Sequence, residues 1–201
     1  MSPTSLQRRT ATTVRRRSTV HLAVHVRGDG HHPGAPASAR AGALDTWVDL
    51  TSPADDPLDP TAQPPHLVRV RATDLRDARE QYVRLRSDGS AAALLDVEVL
   101  LADDARSARA RLAELEGIVA TRPTTVRYVG TPLGLAGLIS DIGSAGVADG
   151  VTLQPLAAEG SLTRIARGTV PWLAAHGLVA DHGAVARAAA LAGIDPAVAA
   201  V

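Results

Sequence analysis

Runs of apolar residues at two different spacings predict four strands along the chain. From 20 to 26, valine and leucine alternate with small or polar residues, which is the period-two pattern of a strand with one covered face. From 94 to 101 and from 150 to 155, the run is nearly unbroken and rich in branched side chains, as in strands that are covered on both faces. A shorter run at 66–71, in which arginines take alternate positions, predicts a fourth strand.

Helical patterns follow the last three of these strands. Asp74 and either Asp103 or Asp104 stand where a helix N-cap is expected. Thr131 before Pro132 is a third start signal, since proline loses no needed N–H at the first helical position. Helices are predicted at 74–87, 103–117, 131–146, 161–177 (kinked or split at Pro171) and 181–192.

Strands that are separated by helices favour a parallel sheet, because a parallel return needs a long connection. Within such a sheet, the segment 94–155 is interpreted as strand, helix, helix, strand. Right-handed crossovers between the strands are consistent with part of a barrel or with an open α/β sheet. The segment Trp47–Leu50 begins either a short helix or a strand.

Composition divides the chain into a tail, one domain and an internal linker. Residues 1–19 are polar and contain five arginines, so they are predicted to be a disordered tail. A twin-arginine export signal is the alternative interpretation, but the apolar run of such a signal is missing. Five prolines at 51–65 predict an extended linker inside a single domain at 20–201.

Composition also excludes several classes of function. The chain has no cysteine, so disulfides, thiolate metal sites and thiol catalysis are excluded, and the cytoplasm is the default compartment. A formal net charge of +0 gives no general attraction to nucleic acid or acidic membranes. Aromatic residues make up only 2% of the chain, so surfaces that stack on bases are not expected. We therefore expect neither nucleic acid nor a membrane as a partner.

Several segments, taken in order, resemble one protein family. Val129–Pro132 before a helix, and then 145–155 with its Ala-Gly-Val-Ala-Asp-Gly turn and strand, look like the C-terminal part of bacterial luciferase-like flavin-dependent monooxygenases. The nitrilotriacetate and desulfurisation monooxygenase type is the branch that they resemble most. The segment 162–178, with a Val-Pro pair inside it, is similar to the last barrel helix of that family. At the front, 20–24 and Trp47–Leu50 resemble its first strand and the start of its first helix.

This resemblance implies a partial TIM-type (β/α) barrel. The family has eight barrel strands, whereas this chain has counterparts only of the first, sixth, seventh and eighth, at 20–26, 66–71, 94–101 and 150–155. In a closed barrel these four strands are neighbours in the order six, seven, eight, one. The resemblance therefore implies a half barrel whose open edges are the segments at 20–26 and 66–71. Such edges favour pairing with a second copy of the chain, as a homodimer, or with a full-length paralogue.

The same resemblance implies a flavin-dependent oxidoreductase. Such an enzyme uses reduced FMN and oxygen on a small organic substrate. Because the family's flavin contacts come largely from the missing middle strands, we expect activity to be weakened or lost in the isolated chain. The alternative is a non-catalytic barrel remnant that acts in dimerisation or in partner binding.

Candidate site residues lie near the C-terminal ends of the strands, where barrel enzymes place their sites. Four residues are assigned to the substrate or flavin side: Asp29, His31, His32 and Gln154. Among them, His32 matches a family loop near the substrate side. No catalytic residue is assigned. No metal site is expected, because His21 and His25 would lie about 13 Å apart along a strand, too far to share one ion.

Two other patterns are interpreted mainly as helix caps. Gly130–Pro132 offers backbone N–H groups that suit an anion, but proline removes one donor and no glycine-rich phosphate loop is present. Asp103 and Asp104 resemble a paired carboxylate, but an aspartate just before a helix most often stabilises the helix start.

Overall fold

The computed structural model describes residues 19–35, 45–51, 67–87, 92–179 and 183–195. The predicted tail, apart from Thr19, and the predicted linker, apart from Thr51, lie outside these residues. The division of the chain into tail, linker and single domain therefore stays a prediction.

The described residues form one six-stranded sheet and the helices that connect its strands. The strands are β1 (His21–Val26), β2 (Thr46–Asp49), β3 (Leu67–Val70), β4 (Ala92–Leu101), β5 (Val126–Gly130) and β6 (Gly150–Pro155). The helices are α1 (Leu75–Ser87), α2 (Ala105–Ile118), α3 (Pro132–Ser144), α4 (Ala158–Arg164), α5 (Val170–Ala175) and α6 (Gly183–Ala192), with a π-helical turn at Ile165–Thr169. None of the described helices is long and apolar enough to cross a membrane.

The strand order confirms the predicted half barrel. Five strands follow one another in the order β2-β1-β6-β4-β3, and β1, β6, β4 and β3 are parallel. Thr152 of β6 lies opposite Ala23 of β1 on one side and Asp96 of β4 on the other. These four strands are the segments matched to barrel strands one, eight, seven and six. Their order in space is the predicted six, seven, eight, one.

β5 is a strand that the sequence analysis missed, so the interpretation of 94–155 as strand, helix, helix, strand is wrong. β3 pairs with the first half of β4, and β5 pairs with the second half on the same edge. The hydroxyl of Thr125 lies 3.2 Å from the carbonyl oxygen of Ala72 and 2.5 Å from that of Asp96, and so joins the two short strands end to end. Arg127 interrupts the apolar pattern of this five-residue strand, so the pattern did not predict β5.

The two faces of the sheet differ in polarity. The outer face carries the apolar core, in which Val97 and Leu153 of the sheet pack with Ile139 of α3 and Leu173 of α5. The inner face carries the alternate residues of each strand, and its centre is the charged residue Asp96. The period-two alternation therefore places the apolar core on the outer face of the sheet and the polar side chains on its inner face.

α2 lies on the inner face, whereas the other helices contribute to the core on the outer face. Parallel crossovers are right-handed. From β3 to β4, and from β5 to β6, the chain moves in one direction across the sheet, with α1 and α3 on the outer face. From β4 to β5 it moves back, so the same handedness puts α2 on the opposite face. Leu115 of α2 accordingly packs with Leu100 and Leu156 in a second apolar cluster.

β2 covers one of the two predicted edges. The segment around Trp47 forms a strand, so the resemblance to the start of a first helix does not hold there. β2 runs antiparallel to β1, with Trp47 opposite His25. The predicted open edge at 20–26 is therefore wrong, because the backbone groups of that edge bond to β2. At the other edge, no described strand pairs with the far side of β3.

The predicted helix starts are refined by the side chains that cap them. Asp104, rather than Asp103, accepts the first backbone N–H groups of α2, and Thr131 caps α3 with Pro132 in the first turn. Gly146 ends α3 with a φ of 63°, as predicted. The predicted helix at 161–177 is divided by the π-helical turn that precedes α5.

Gly150→Ala tests the close packing of β6 between β1 and β4. A Cβ at this position would lie 2.1 Å from the carbonyl oxygen of His21 and 2.6 Å from Cδ2 of Leu94. Because the first contact is with backbone, we expect the variant to lose about 2 kcal/mol or more of unfolding free energy in urea titrations.

Gly137→Ala in α3 is the matched control for this variant. Nothing lies within 4 Å of the Cβ that it adds, so we expect a gain of about 0.5–1 kcal/mol from the better helix propensity of alanine. Equal stability of the two variants would contradict the close approach of β1 to β6.

Candidate functional site on the inner face

The register of the parallel strands collects charged and polar side chains on the inner face. Partners in a parallel pair point to the same side of a sheet. Asp96 and Glu98 of β4 therefore lie on the same face as Gln154 of β6. Arg69 of β3 shares this face, because its partner Leu94 lies two residues before Asp96.

The carboxylate of Asp96 is at the centre of this face and is fully buried. Arg69 holds it with two hydrogen bonds, from Nε to Oδ1 at 2.8 Å and from Nη2 to Oδ2 at 2.9 Å. Oδ2 also accepts from Nε of Arg71 at 3.0 Å and from Nε2 of Gln154 at 2.8 Å. A buried charge needs such partners, because burial alone disfavours it strongly. Side chains thus join β3 and β6 to β4, in addition to the backbone hydrogen bonds.

His25 extends this arrangement towards the loop after β1. Nη2 of Arg69 donates to Nδ1 of His25 at 3.2 Å, and Nε2 of His25 donates to Asp45. Because a guanidinium can only donate, these bonds assign the neutral imidazole with its proton on Nε2. The hydrogen bond from His25 lowers the pKa of Asp45. Burial lowers the pKa of His31, whose Nε2 donates to the backbone carbonyl oxygen of His25 at 2.9 Å.

A second charged cluster joins α2 to the inner face. Nε of Arg127 donates to Oε2 of Glu98 at 2.7 Å, and its Nη1 donates to Oε1 of Glu116 at 2.8 Å. Glu116 also accepts from the backbone N–H and the hydroxyl of Thr121, at 2.5 and 2.8 Å. The bonds from Thr121, followed by that from Arg127, lower the pKa of Glu116 to about 2.

His32 is buried between the loop after β1 and α2. Its Nδ1 accepts a hydrogen bond from the backbone N–H of Gly34 at 3.0 Å, so its proton is on Nε2. That Nε2 is buried without a hydrogen-bond partner, and the nearest acidic oxygen, Oε1 of Glu116, is 3.6 Å away. His32 is therefore held in the loop by one hydrogen bond, with one donor left unsatisfied.

The structure brings three of the four predicted site residues together. Backbone hydrogen bonds of 2.7–3.0 Å fasten the loop that contains Asp29, His31 and His32 to the end of β6 and the residues after it. The amide of Gln154 bonds to Asp96, which Arg69 and His25 connect to His31 of this loop. The roles assigned to all four on the substrate or flavin side stay predictions.

The sequence analysis did not assign Asp96, Glu98, Arg69 or Arg127 to the site. Their signal was the presence of two acidic residues at alternate positions inside the otherwise apolar run 94–101. A strand that is covered on both faces carries charge only where other strands supply partners. The arginines on β3 and β5 are those partners, and one of the two strands was missed.

The carboxyl ends of the strands do not fit the phosphate of FMN. The loops there carry four acidic residues: Asp29, Asp103, Asp104 and Glu159. The first N–H groups of α2 and α3 already bond to the side chains of Asp104 and Thr131. A phosphate needs free backbone donors or basic side chains. The arginines at this end are already paired with carboxylates, Arg27 with Asp45 and Arg164 with Asp103.

A cavity of about 910 Å³ lies at the opposite end of the sheet. Tyr82, Ser140 and Asp149 are among its lining residues. The hydroxyl of Tyr82 donates to one oxygen of Asp149 at 2.9 Å, and the other oxygen accepts from the N–H of Ala93 at 3.0 Å. In (β/α) barrels this end supports stability rather than chemistry, and here these bonds fasten α1 to the start of β4.

Comparison with known proteins gives a likeness at the level of fold. No protein family model matches the chain, and no curated protein sequence matches it. An EDTA monooxygenase from Chelativorans sp. BNC1 is 12% identical with a TM-score of 0.49, over 65% of this chain and 47% of that one. A riboflavin lyase, solved with modified FMN and its substrate riboflavin, is 16% identical with a TM-score of 0.47, over 65% and 44%.

A third solved structure, DmoA from Hyphomicrobium sulfonivorans, is 14% identical with a TM-score of 0.46, over 65% of this chain and 46% of that one. This chain therefore spans less than half the length of each of these three proteins.

Asp96→Ala tests the charge at the centre of the inner face. The variant leaves Arg69, whose side chain is only 24% exposed, without its carboxylate partner. We expect a loss of about 3–5 kcal/mol of unfolding free energy, measured by urea titration at neutral pH. Asp103→Ala is the control. The Asp103 side chain is 87% exposed, so the loss of its ion pair with Arg164 should cost under about 1 kcal/mol of unfolding free energy. A small loss for both variants would show that the buried charge is not essential.

Glu116→Gln tests the depressed pKa at the second cluster. A carboxyl whose pKa falls from 4.5 to about 2 on folding stabilises the protein above its unfolded pKa. That contribution is lost as the pH falls from 4.5 towards 2. We expect the variant to be less stable than the wild type at pH 7 in urea titrations, and the difference to shrink below about pH 4. A difference that is constant with pH would contradict the assignment.

Proposed function

We propose that this chain is a shortened relative of the luciferase-like flavin-dependent monooxygenases, of the nitrilotriacetate and desulfurisation type. In this proposal it acts on a small organic substrate with reduced flavin and oxygen, and its activity is strongly weakened in the isolated chain. The strand order carries the proposal. The resemblance of separate sequence segments required the order six, seven, eight, one, and β3, β4, β6 and β1 have that order.

The expected weakness has two physical causes in the described residues. The loops at the carboxyl ends of the strands are acidic, so FMN has no phosphate site there. On the inner face, Gln154 bonds to Asp96, Glu98 bonds to Arg127, and α2 covers part of that face. A bound flavin would carry the redox chemistry, but it would have to bind through its ring alone.

β2 changes the edge at which the expected partner chain could pair with the sheet. Because β2 occupies the edge of β1, a homodimer or a complex with a full-length paralogue would pair at the outer edge of β2 or at β3. The cytoplasm, as the compartment that supplies reduced flavin, remains part of the proposal.

Titration of purified protein against the fluorescence of FMN and of riboflavin tests this function. We expect saturable quenching with a Kd of about 0.1–1 mM. The two flavins should bind equally within about twofold, because the loops at the carboxyl ends of the strands offer no phosphate site.

The other outcomes of the titration separate the hypotheses. If neither flavin shows any quenching up to about 1 mM, the flavin function is wrong for this chain and the non-catalytic barrel remnant replaces it. If FMN binds about tenfold more tightly than riboflavin, a phosphate site exists and the account of the weakening is wrong.

A further inference from the structure

The two arginines on Asp96 are not fully neutralised. Arg69 and Arg71 both bond to this one carboxylate, and Gln154 contributes no charge. His25, the next residue in contact with Arg69, accepts a hydrogen bond at Nδ1 and is assigned as neutral. The group therefore carries a net charge of about +1, from two guanidinium groups and one carboxylate.

Several N–H groups of this cluster lack an acceptor among the described residues. Arg69 uses Nε and Nη2, which leaves Nη1, and Arg71 uses only Nε, which leaves both terminal nitrogens. Both guanidinium groups bond to the same oxygen, Oδ2 of Asp96, so they lie side by side. The Arg71 side chain is 62% exposed, and solvent therefore reaches this point of the inner face.

The other acidic residues of the inner face bond to other groups than Arg69 and Arg71. Glu98 and Glu116 are both bonded to Arg127, so that second cluster carries a net charge of about −1 of its own. Asp45 is shared between His25 and Arg27, with Nε of Arg27 at 3.6 Å. The carboxylates that face the cluster from neighbouring elements are thus already in use.

We propose that Arg69 and Arg71, oriented by the buried carboxylate of Asp96, form a binding subsite for the carboxylate group of a small organic monoanion. A guanidinium presents parallel N–H groups that match the two oxygens of a carboxylate. One negative charge balances the net charge of the cluster, whereas a dianion would exceed it. The proposal involves no cofactor, so it stands or falls separately from flavin binding.

The binding test uses the full chain labelled with ¹⁵N and titrated with propionate or benzoate at constant ionic strength. The Nε–H resonances of Arg69 and Arg71 are followed by NMR. We expect saturable shifts at both arginines, with a Kd of about 1–10 mM. Chloride and inorganic phosphate are titrated in the same way, and we expect both to bind at least about tenfold more weakly than the carboxylates.

Two substitutions at the exposed arginine separate recognition from general charge effects. Arg71→Gln removes the charge and should weaken carboxylate binding about tenfold or more, measured on the Arg69 resonance. Arg71→Lys keeps the charge but loses the parallel N–H groups of the guanidinium. It should also weaken carboxylate binding while preserving the fold. Arg76→Gln is the matched control, because Arg76 lies on α1 with 90% of its side chain exposed and pairs only with Glu80.

Each contrary outcome overturns the proposal. The first is that the wild type shows no saturable carboxylate binding below about 50 mM. The second is that the wild type and both Arg71 variants bind carboxylate equally well. Equal weakening by Arg76→Gln would reveal a general effect of charge. Tighter binding of phosphate than of carboxylate would show that the ligand class is wrong. If Arg71→Gln fails to fold by circular dichroism, the Arg71→Lys titration decides.

Discussion

A buried carboxylate on the central strand is the constraint that the rest of the structure depends on. Asp96 has no exposed surface, and a buried charge persists only when other groups satisfy it. Its partners come from both neighbouring strands, with Arg69 on β3 and Gln154 on β6. The order of these strands and the charge in the middle therefore support each other. Moving β3 away from β4 would leave this buried carboxylate without its arginine partners, and moving β6 away would remove the bond from Gln154.

The handedness of crossovers explains how a sheet of so few strands covers its own surfaces. One backward step from β4 to β5 sends α2 to the inner face, where it packs on Leu100 and bonds to Arg127. At the far side, the antiparallel strand β2 takes the edge of β1 that a following parallel strand would use in a closed barrel. These two elements cover part of the inner face and one of the two edges of the half barrel. α2 also occupies part of the inner face, the side that lines the interior of a closed barrel.

Much of the fold was accessible from the sequence because its signals are local. Alternation at 20–26, apolar runs at 94–101 and 150–155, and the caps at Asp74 and Thr131 each act within a few residues. The order of the four parallel strands came from the resemblance to a known family. β5 and the strand pairing of β2 were not accessible, because short strands of four or five residues form only where an existing edge accepts them.

The candidate site was less accessible than the fold, since it depends on contacts between distant segments. The loop of Asp29, His31 and His32 could be placed at the strand ends from topology alone. To predict that Asp96 joins Arg69 and Gln154, the register of three strands must be known. Patterns in a single sequence do not give that register. The acidic residues within 94–101 were a visible signal, but the choice of their partners is a tertiary property.

The most direct test of the central claim is the network of backbone nuclear Overhauser effects across β1, β6, β4 and β3. Parallel strands in the register Ala23–Thr152–Asp96 give contacts between an α-proton and the amide of the residue after its partner, on both sides of β6. The account predicts these contacts, together with those from β4 to β3. Close pairs of α-protons between these strands, or contacts that place β6 at an edge, would contradict it.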